Sequence, residues 1–160
     1  MIRPCTARDR EAICEIVNDA ARAYRGVIPD DAWHEPYMPL EELQAEIDAG
    51  VRFQGFQEQG VLVGVMGLQR VRDVCLIRHA YVRTGLQGRG IGGALMSRLA
   101  AEADGPLLVG TWAAAHWAIR FYERHGFVLA SPAEKDRLLS TYWTIGARQR
   151  ETSVVLLKAA

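Results

Sequence analysis

Four glycines within six residues mark a candidate anion-binding site. They lie in the stretch Leu86–Leu95, LQGRGIGGAL, between a strand-like and a helix-like segment. Glycine lets the backbone adopt unusual dihedral angles and approach a ligand closely. The first turn of a helix adds unpaired N–H groups and a positive dipole end, which bind phosphate groups. The stretch therefore predicts a pyrophosphate site, because a purely structural role would leave glycines that only weaken the helix.

Two well-known phosphate-binding patterns are similar to this stretch but do not fit it. Gly88, Gly90 and Gly93 spell G-x-G-x-x-G, for which a dinucleotide-binding unit needs an acidic residue about 20 residues on, after the next strand. The next strand-like segment, Pro106–Gly110, is followed by TWAAA without Asp or Glu. The Gly-Lys-Ser/Thr of a P-loop is also missing. A nicotinamide-dependent enzyme therefore stays only as an alternative hypothesis.

Helical spacing of apolar residues predicts the helices that frame this site. Thr6 and Asp9 form a capping-box pattern at the start of the first helix. Gly50 and Gly126 suit the C-terminal ends of the second and fourth helices. The predicted helices cover about residues 8–23, 40–47, 91–105 and 114–126.

Runs of β-branched and aromatic residues predict the strands. Glu58–Gly60 and Arg72–Asp73 fit hairpin turns that join the first three long strands into an antiparallel meander. Residues 132–151 are polar and are expected to be irregular apart from a helical turn. The predicted strands cover residues 51–57, 61–71, 74–82, 106–110, 127–131 and 152–158.

The order of these elements indicates an α/β fold with a mixed, largely antiparallel sheet and helices on both faces. The order is a strand, two helices, the meander, and then alternating helices and strands. The chain has 160 residues and no repeat or linker, so a single domain over residues 1–160 is expected.

The amino-acid composition disfavours several classes of binding partner. Lys plus Arg and Asp plus Glu number 19 each, so the formal net charge is zero, which disfavours a nucleic-acid surface. The cysteines, Cys5, Cys14 and Cys75, are widely spaced without a C-x-x-C, which disfavours a zinc site or a disulfide framework. No stretch reads as a signal peptide or a membrane span. A soluble cytoplasmic protein without nucleic-acid, membrane or metal partners is expected.

Two blocks of the sequence resemble the GNAT superfamily of acetyl-CoA-dependent N-acetyltransferases. The first is the Q-x-x-G-x-G pattern of residues 87–92, preceded by Tyr81 on a strand. The second is AIRFYERHGF, Ala118–Phe127, with its Phe-Tyr pair and its Gly-Phe. One helix and one strand separate the blocks, as in the family. Only Trp33–Met38 and Pro132–Arg150 lack a clear family counterpart.

The resemblance implies acetyl-CoA as co-substrate and no metal. Backbone N–H groups of the glycine stretch would hold the coenzyme A pyrophosphate, and the strand before it would pair with the pantetheine arm. An N–H near Val82 would polarise the thioester carbonyl. Arg83 and Arg89 are either phosphate contacts or surface residues, and Ala115 stands where many members carry Asn. The implied cofactor residues are Ala80, Tyr81, Val82, Gln87, Gly88, Arg89, Gly90, Ile91, Gly92, Gly93 and Ala94.

Acetyl transfer to an amine needs a neutral amine, a stabilised oxyanion and a proton for the departing thiolate. The resemblance implies Tyr122 as the general acid, with an ordinary core aromatic as the alternative. An alkylammonium group has a pKa of about 10.4, so a base is useful at neutral pH. His79 is the first candidate, since family members often carry a base on this strand and histidine titrates in the useful range. Glu35 is the second candidate, and a purely structural histidine is the alternative.

The loop between the first two helices is expected to contact the acceptor, since it often covers the acceptor pocket in the family. Its sequence WHEPYMP contains Trp33, Glu35 and Tyr37, and a carboxylate between aromatic rings suits an ammonium group. A hydrophobic lid is the alternative. Arg148 and Arg150 are candidates to pair with a carboxylate on the acceptor.

The sequence thus predicts an N-acetyltransferase that moves acetyl from acetyl-CoA to a primary amine of a small molecule by direct attack in a ternary complex. Protein amines as acceptors and longer acyl groups as donors stay open, and homodimers are frequent in the family. A catalytically silent acyl-CoA-binding sensor or partner module is the alternative from another class. The neutral net charge disfavours a toxin acting on aminoacyl-tRNA.

Overall fold

The computed structural model describes residues 1–159, which form seven strands and six α-helices. Single-turn 3-10 helices at Ala7–Asp9, Arg22–Tyr24 and Asp30–Ala32 flank or follow the first helix. The strands are β1 Ile2–Pro4, β2 Arg52–Glu58, β3 Val61–Val71, β4 Val74–Val82, β5 Leu107–Trp112, β6 Val128–Leu129 and β7 Ser153–Lys158. The α-helices are α1 Arg10–Ala21, α2 Leu40–Asp48, α3 Ile91–Glu102, α4 His116–Arg124, α5 Pro132–Tyr142 and α6 Ala147–Glu151.

The strands form one sheet in the order β1-β2-β3-β4-β5-β7-β6. Neighbours from β1 to β4 are antiparallel, so the predicted meander is confirmed. β4 and β5 are parallel, because α3 provides a crossover between them. β7 returns between β5 and β6 and is antiparallel to both. The predicted fold class, a mixed and largely antiparallel sheet, is confirmed.

Helices cover both faces of this sheet, and each face has its own apolar core. On one face α3 buries Leu95 and Leu99 against Met66 of β3. On the other face α1 and α2 bury Ile16 and Leu43 against β2 and β3. Within residues 1–159 no helix is long and apolar enough to cross a membrane. The chain is thus a three-layer structure in which loops at the ends of β4 and β5 lie between the two helical layers.

A β-bulge interrupts the pairing of β3 and β4, where the register shifts. Two residues of β4 lie opposite one residue of β3 at this point, which bends the strand and changes the direction of its side chains. One of the two, His79, has a φ of 53°, in the left-handed region that favours glycine. The partners are Val65 with Tyr81 and Gly67 with Arg78, which leaves Met66 opposite His79 and Ala80.

The prediction for residues 132–151 was wrong, since this segment forms α5 and α6 rather than irregular structure. Ser131 caps α5 by accepting a hydrogen bond from the backbone N–H of Glu134, and Pro132 occupies the first turn. Leu138 and Leu139 are buried against β5 and β7. The Ser-Pro start is a helix signal in the sequence itself. The segment has only a short apolar face, so hydrophobic periodicity alone missed it.

The strand predicted over residues 127–131 is shorter than expected and contains only Val128–Leu129. Phe127 packs into the core beside α4 instead of extending the strand. At the other end Ser131 already serves as the N-cap of α5. Packing and capping therefore set the limits of this strand.

Asp9 joins β1 to the start of α1, and we expect its removal to destabilise the fold. Both Asp9 oxygens accept hydrogen bonds from the Arg3 guanidinium at 2.9 Å, and Oδ2 also accepts one from the Thr6 N–H at 2.8 Å. The Arg3 hydrogen bond holds the pKa of Asp9 at about 2. Asp9→Asn should therefore lower the free energy of unfolding by about 2 kcal/mol at pH 7, measured by urea denaturation.

The pH dependence of this loss has a definite sign. A carboxyl with a lowered folded-state pKa stabilises the fold above its unfolded pKa, so the difference between wild type and Asp9→Asn should disappear as the pH falls from about 4 to about 2. Asp136→Asn, at an exposed position of α5, is the matched control and should have little effect. Equal stability of wild type and Asp9→Asn at pH 7 would contradict the expectation.

Candidate active site

The main cavity lies where β4 and β5 diverge. The two strands pair only over Cys75–Ile77 and Leu107–Val109. Beyond this region β4 continues to Val82, while residues 110–112 of β5 pair with β7. A cavity of about 780 Å³ opens between the strand ends, within the usual size range of ligand sites. The divergence leaves backbone groups on one edge of β4 free to pair with a bound molecule.

The glycine stretch forms one end of this cavity. Gly88 and Gly90 have φ values of 81° and 83°, which residues with a Cβ adopt only with strain. Gly90 is the N-cap of α3 and has no side chain to occupy the free N–H groups of the first turn. At Gly92 a Cβ would lie 3.2 Å from Cε1 of Phe121, so glycine also allows α4 to approach α3. These features suit an anion at the helix N-terminus.

Nine of the eleven residues predicted to bind the cofactor line the cavity, and Arg89 and Ala94 do not. Arg89 instead pairs with Glu58 at 3.0 Å on the surface. Arg83, the other cation considered, donates from Nε to the Leu62 carbonyl at 2.9 Å and anchors the loop to β3. The nine lining residues are Ala80, Tyr81, Val82, Gln87, Gly88, Gly90, Ile91, Gly92 and Gly93.

The sequence did not single out the part of α4 that faces the glycine stretch. Arg124 and His125 line the cavity near Gly93, and a Cβ on Gly93 would lie 3.1 Å from Nε2 of His125. The His125 ring packs on Phe121 with a centroid distance of 4.5 Å. Ala118, Phe121 and His125 recur at helical spacing along the cavity side of α4, and this spacing was the available signal.

Tyr122 lines the cavity and is buried, with 6% of its surface exposed. Its ring packs edge-on against Phe127 and Phe121, with centroid distances of 5.5 and 5.3 Å. Burial raises the pKa of the Tyr122 hydroxyl well above its usual range. The phenol therefore keeps its proton at neutral pH and is suited to donate it inside the cavity.

His79 also lines the cavity, and its ring is held by Glu46 of α2. Nε2 lies 2.6 Å from Oε1 of Glu46, and the two side chains are only 15% and 17% exposed. Burial opposes the charge on Glu46, but the hydrogen bond from His79 and the charge of Arg78 outweigh it and lower its pKa. Glu46 is thus a carboxylate, which sequence reasoning missed because 33 residues separate it from His79.

Further aromatic side chains form part of the cavity wall. Tyr24 and Tyr81 share a hydrogen bond between their hydroxyls at 3.2 Å. Trp117 stacks on Tyr24 with a centroid distance of 6.0 Å. Burial raises the pKa of both tyrosines, so this wall is uncharged at neutral pH. Tyr24 and Trp117 line the cavity although neither was a predicted site residue.

The predicted acceptor loop lies behind this wall. The Tyr37 ring packs on Tyr24 and Trp33, with centroid distances of 5.5 and 5.8 Å, and its hydroxyl accepts a hydrogen bond from Trp112. Trp33 and Tyr37 therefore support the cavity wall but do not line the cavity. Glu35 is 66% exposed and points to Arg25 at 3.9 Å rather than into the cavity.

Two further sequence candidates also lie outside the cavity lining. Arg148 pairs with Asp31 at 3.4 Å, which ties α6 to the turn before the aromatic loop. Arg150 does not reach the cavity either. Across residues 1–159, no group of three or more His, Cys, Asp or Glu side chains is arranged to hold a metal ion.

A family model and several solved structures are similar to this chain. The family model described as the acetyltransferase (GNAT) family matches residues 11–127. The comparison with curated proteins gave no match.

Solved structures of low sequence identity share the fold. The PaiA N-acetyltransferase of Thermoplasma acidophilum, in complex with coenzyme A, has a TM-score of 0.75 at 16% identity, over 100% of this chain and 98% of that one. The ribosomal-protein-alanine N-acetyltransferase of Brucella melitensis has a TM-score of 0.70 at 20% identity, over 100% and 99%. Since the family model covers more than half of the sequence, the chain belongs to the GNAT family of acetyltransferases, which use acetyl-CoA.

Proposed function

We propose that this protein transfers the acetyl group of acetyl-CoA to the primary amine of a small molecule, by direct attack within a ternary complex. The observation that carries the proposal is one continuous cavity that joins the glycine stretch at the start of α3 to Tyr122 and His79. Such a transfer can use all three groups. The anion site holds the phosphates of the donor, the protonated phenol protonates the leaving sulfur, and the histidine accepts a proton from the amine.

The groups that line the cavity suit the pyrophosphate and the pantetheine arm of coenzyme A. The backbone N–H groups of Gly88 and of Gly90 to Gly93 would hold the pyrophosphate, with no side chain competing for them at Gly90. The Ala94 N–H, which the resemblance also implied, instead donates to the Gly90 carbonyl at 3.0 Å. The free edge of β4 over Ala80–Val82 would pair with the amides of the pantetheine arm. Arg124 adds a cation near this end of the cavity. The Thermoplasma protein with the same fold was crystallised with coenzyme A, which supports this assignment.

The reaction then needs only side chains that already line the cavity. The amine nitrogen attacks the thioester carbonyl carbon, and an N–H near Val82 stabilises the oxygen as it gains negative charge. The carbon–sulfur bond breaks, and Tyr122 donates its proton to the leaving sulfur. His79 accepts one proton from the ammonium form of the acceptor before attack, and the second proton, which the nitrogen loses after attack, returns through solvent to the Tyr122 oxygen. The products are the N-acetyl amine and coenzyme A thiol, with one net proton released when the amine begins protonated.

Direct attack is favoured over a covalent acetyl-enzyme. The three cysteines, Cys5, Cys14 and Cys75, all lie outside the cavity lining. Burial raises the pKa of the Cys5 thiol to about 11, so it is a poor nucleophile at neutral pH. A ternary complex, in which amine and thioester meet in the cavity, therefore explains the arrangement better than acetyl transfer through a thiol.

A small acceptor is favoured because aromatic rings line the cavity together with Tyr122. Tyr24 and Tyr81 are joined through their hydroxyls, and Trp117 stacks on Tyr24 beside them. These uncharged rings present apolar faces to an acceptor and can also contact an ammonium group through their π-systems. An amine on a compact apolar body suits this wall.

Turnover is tested by following free thiol release from acetyl-CoA with a graded set of primary alkylamines, arylalkylamines and hydroxylamine. Hydroxylamine is a small, weakly basic nucleophile that enters a pocket built for a larger acceptor and needs no base. Enzyme-dependent thiol release, with the acetylated amine identified by mass spectrometry, is the expected result. Binding of coenzyme A without thiol release above the uncatalysed rate for any nucleophile would instead favour a silent acyl-CoA-binding module.

A further inference from the structure

We propose that Glu46 is a positioning residue that holds His79 as the proton acceptor for the amine, so that the two act as one pair. This inference rests on the proposed function and deepens it, since it names the residue that orients the base. Glu46 comes from α2, whereas His79 comes from β4. Their hydrogen bond of 2.6 Å between Oε1 and Nε2 is therefore a tertiary contact that the whole fold must maintain.

The β-bulge is what brings the pair together. Successive residues of a strand normally point to opposite faces of the sheet. Arg78 and His79 are successive, yet both donate to the same oxygen, Oε1 of Glu46, at 2.8 and 2.6 Å. The bulge and the positive φ of His79 break the alternation at this point. Strained backbone of this kind is retained where the surroundings hold it, and it is frequent at functional sites.

Close packing keeps the bulge in place. A Cβ on Gly67 would lie 2.9 Å from the carbonyl oxygen of Arg78, so only glycine allows β3 to approach β4 here. Phe53 of β2 stacks on the His79 ring with a centroid distance of 6.3 Å and an interplanar angle of 21°. The imidazole is thus restrained both by its hydrogen bond and by a flat apolar neighbour.

The carboxylate determines which nitrogen of His79 is basic. An ionised carboxylate only accepts hydrogen bonds, so Nε2 must carry the proton that it donates to Glu46. In the neutral ring the lone pair then lies on Nδ1. Nδ1 accepts a proton from the ammonium group of the acceptor, which leaves a neutral amine to attack the thioester, and the resulting imidazolium is stabilised by Glu46. When products leave, the proton passes from Nδ1 to water, so the ring returns to its starting state.

A structural ion pair between Arg78 and Glu46 does not account for the whole arrangement. Arg78 has a second partner, because Nη1 donates to Oε1 of Gln69 at 2.9 Å, and it does not line the cavity. His79 lines the cavity and has Glu46 as its hydrogen-bonding partner. Arg78 therefore ties α2 to the sheet, whereas the bond from His79 to Glu46 holds a residue that lines the cavity.

The charges around the ring give the two neighbours opposite effects. Glu46 from α2 places a negative charge next to the ring, and Arg78 from β4 places a positive charge on the same carboxylate oxygen. The neighbour from β2, Phe53, is apolar, and Tyr24 and Tyr81, on the cavity wall, are neutral phenols at neutral pH. Removing Glu46 or Arg78 should therefore move the acidic limb of the pH profile in opposite directions.

The kinetic test compares Glu46→Gln with Arg78→Gln, using an alkylamine and hydroxylamine as acceptors. In Glu46→Gln we expect kcat/KM for the alkylamine to fall about 10-fold at neutral pH and its acidic limb to move to lower pH. The fall with hydroxylamine should be much smaller, because that nucleophile needs no base. Arg78→Gln should move the acidic limb to higher pH. The double variant Glu46→Gln/His79→Gln should be no slower than His79→Gln alone.

The proposal would be overturned if neither variant moved the acidic limb of the pH profile, or if Glu46→Gln lost as much kcat/KM with hydroxylamine as with the alkylamine. Glu46 would then be a structural residue. If Glu46→Gln does not fold, Glu46→Asp, which keeps the charge but shortens the side chain, replaces it and should show a smaller loss with the same preference between nucleophiles.

An NMR spectrum of wild type labelled with 15N-histidine tests the pair without any turnover. The proposal requires His79 with a protonated Nε2 and an unprotonated Nδ1 at a pH where the ring is neutral. The opposite tautomer would overturn it. Lack of thiol release by wild type, together with the expected tautomer, would overturn the proposed acetyl transfer but not the pairing of Glu46 with His79.

Discussion

We expect the Gly90→Asp variant to bind coenzyme A about 100-fold more weakly than wild type, measured by isothermal titration calorimetry. Gly90 is the N-cap of α3, and an Asp side chain there accepts hydrogen bonds from the N–H groups that a pyrophosphate would use. The new carboxylate would also lie within a few ångströms of the phosphates. At an effective dielectric constant of 20, two like charges 4 Å apart repel by about 4 kcal/mol.

Gly50→Asp is the matched control for this variant. Gly50 has a φ of 108° and, like Gly90, nothing within 4 Å of its Cβ position. It precedes β2 at the opposite end of the sheet from the glycine stretch, since Arg52 of β2 pairs with Leu68 and Val82 pairs with Gly64. Both variants add one negative charge at a strained position. Equal affinity of Gly90→Asp and Gly50→Asp for coenzyme A would contradict a pyrophosphate site at the start of α3.

We expect Tyr122→Phe to lower kcat about 100-fold, at the low end of the usual contribution of general acid catalysis. A thiolate is a fair leaving group, so protonation assists the step without being indispensable to it. Tyr122 lines the cavity, and burial keeps its hydroxyl protonated across the neutral range. The ring packing on Phe121 and Phe127 is unchanged by loss of the hydroxyl, so the affinity for coenzyme A should stay within about 3-fold.

Tyr142→Phe provides the control for loss of a tyrosine hydroxyl elsewhere. Tyr142 lies on α5, outside the cavity lining, and its hydroxyl donates to Asp73 at 2.6 Å. Its removal should leave kcat unchanged. Thiol release at the wild-type rate by Tyr122→Phe would show that the proton reaches the sulfur from elsewhere, and Tyr122 would then be a core aromatic, the alternative that the sequence left open.

Local signals account for the parts of the fold and site that the sequence predicted. The glycine stretch, the capping box at Thr6 and the two-residue turn at Arg72–Asp73 each depend on neighbouring residues alone. Such features need no knowledge of the tertiary structure. The same holds for α4, whose apolar spacing placed Tyr122 on a buried helix face.

Tertiary contacts account for what the sequence did not provide. In the sequence, Glu46 cannot be distinguished from the other carboxylates of α2. In the folded chain, the bulge in β4 turns His79 toward Glu46. Tyr24, directly after the predicted first helix, continues its apolar spacing and resembles a core residue in the sequence, yet it lines the cavity. Glu35 lies between aromatic residues in the sequence. In the structure Trp33 and Tyr37 pack against an apolar cluster, whereas the Glu35 side chain stays exposed. Spacing along the chain carries no information on such pairings.

Thermal unfolding of the wild-type protein with coenzyme A, acetyl-CoA or NADH tests the proposed cofactor site most directly. A ligand at about 100 times its Kd adds about 2.7 kcal/mol to the free energy of unfolding. For a domain of this size that raises Tm by about 5 to 10 °C. We expect this shift with coenzyme A and acetyl-CoA and none with NADH. No shift with either form of coenzyme A, or an equal shift with NADH, would contradict the assignment of the cavity to acetyl-CoA.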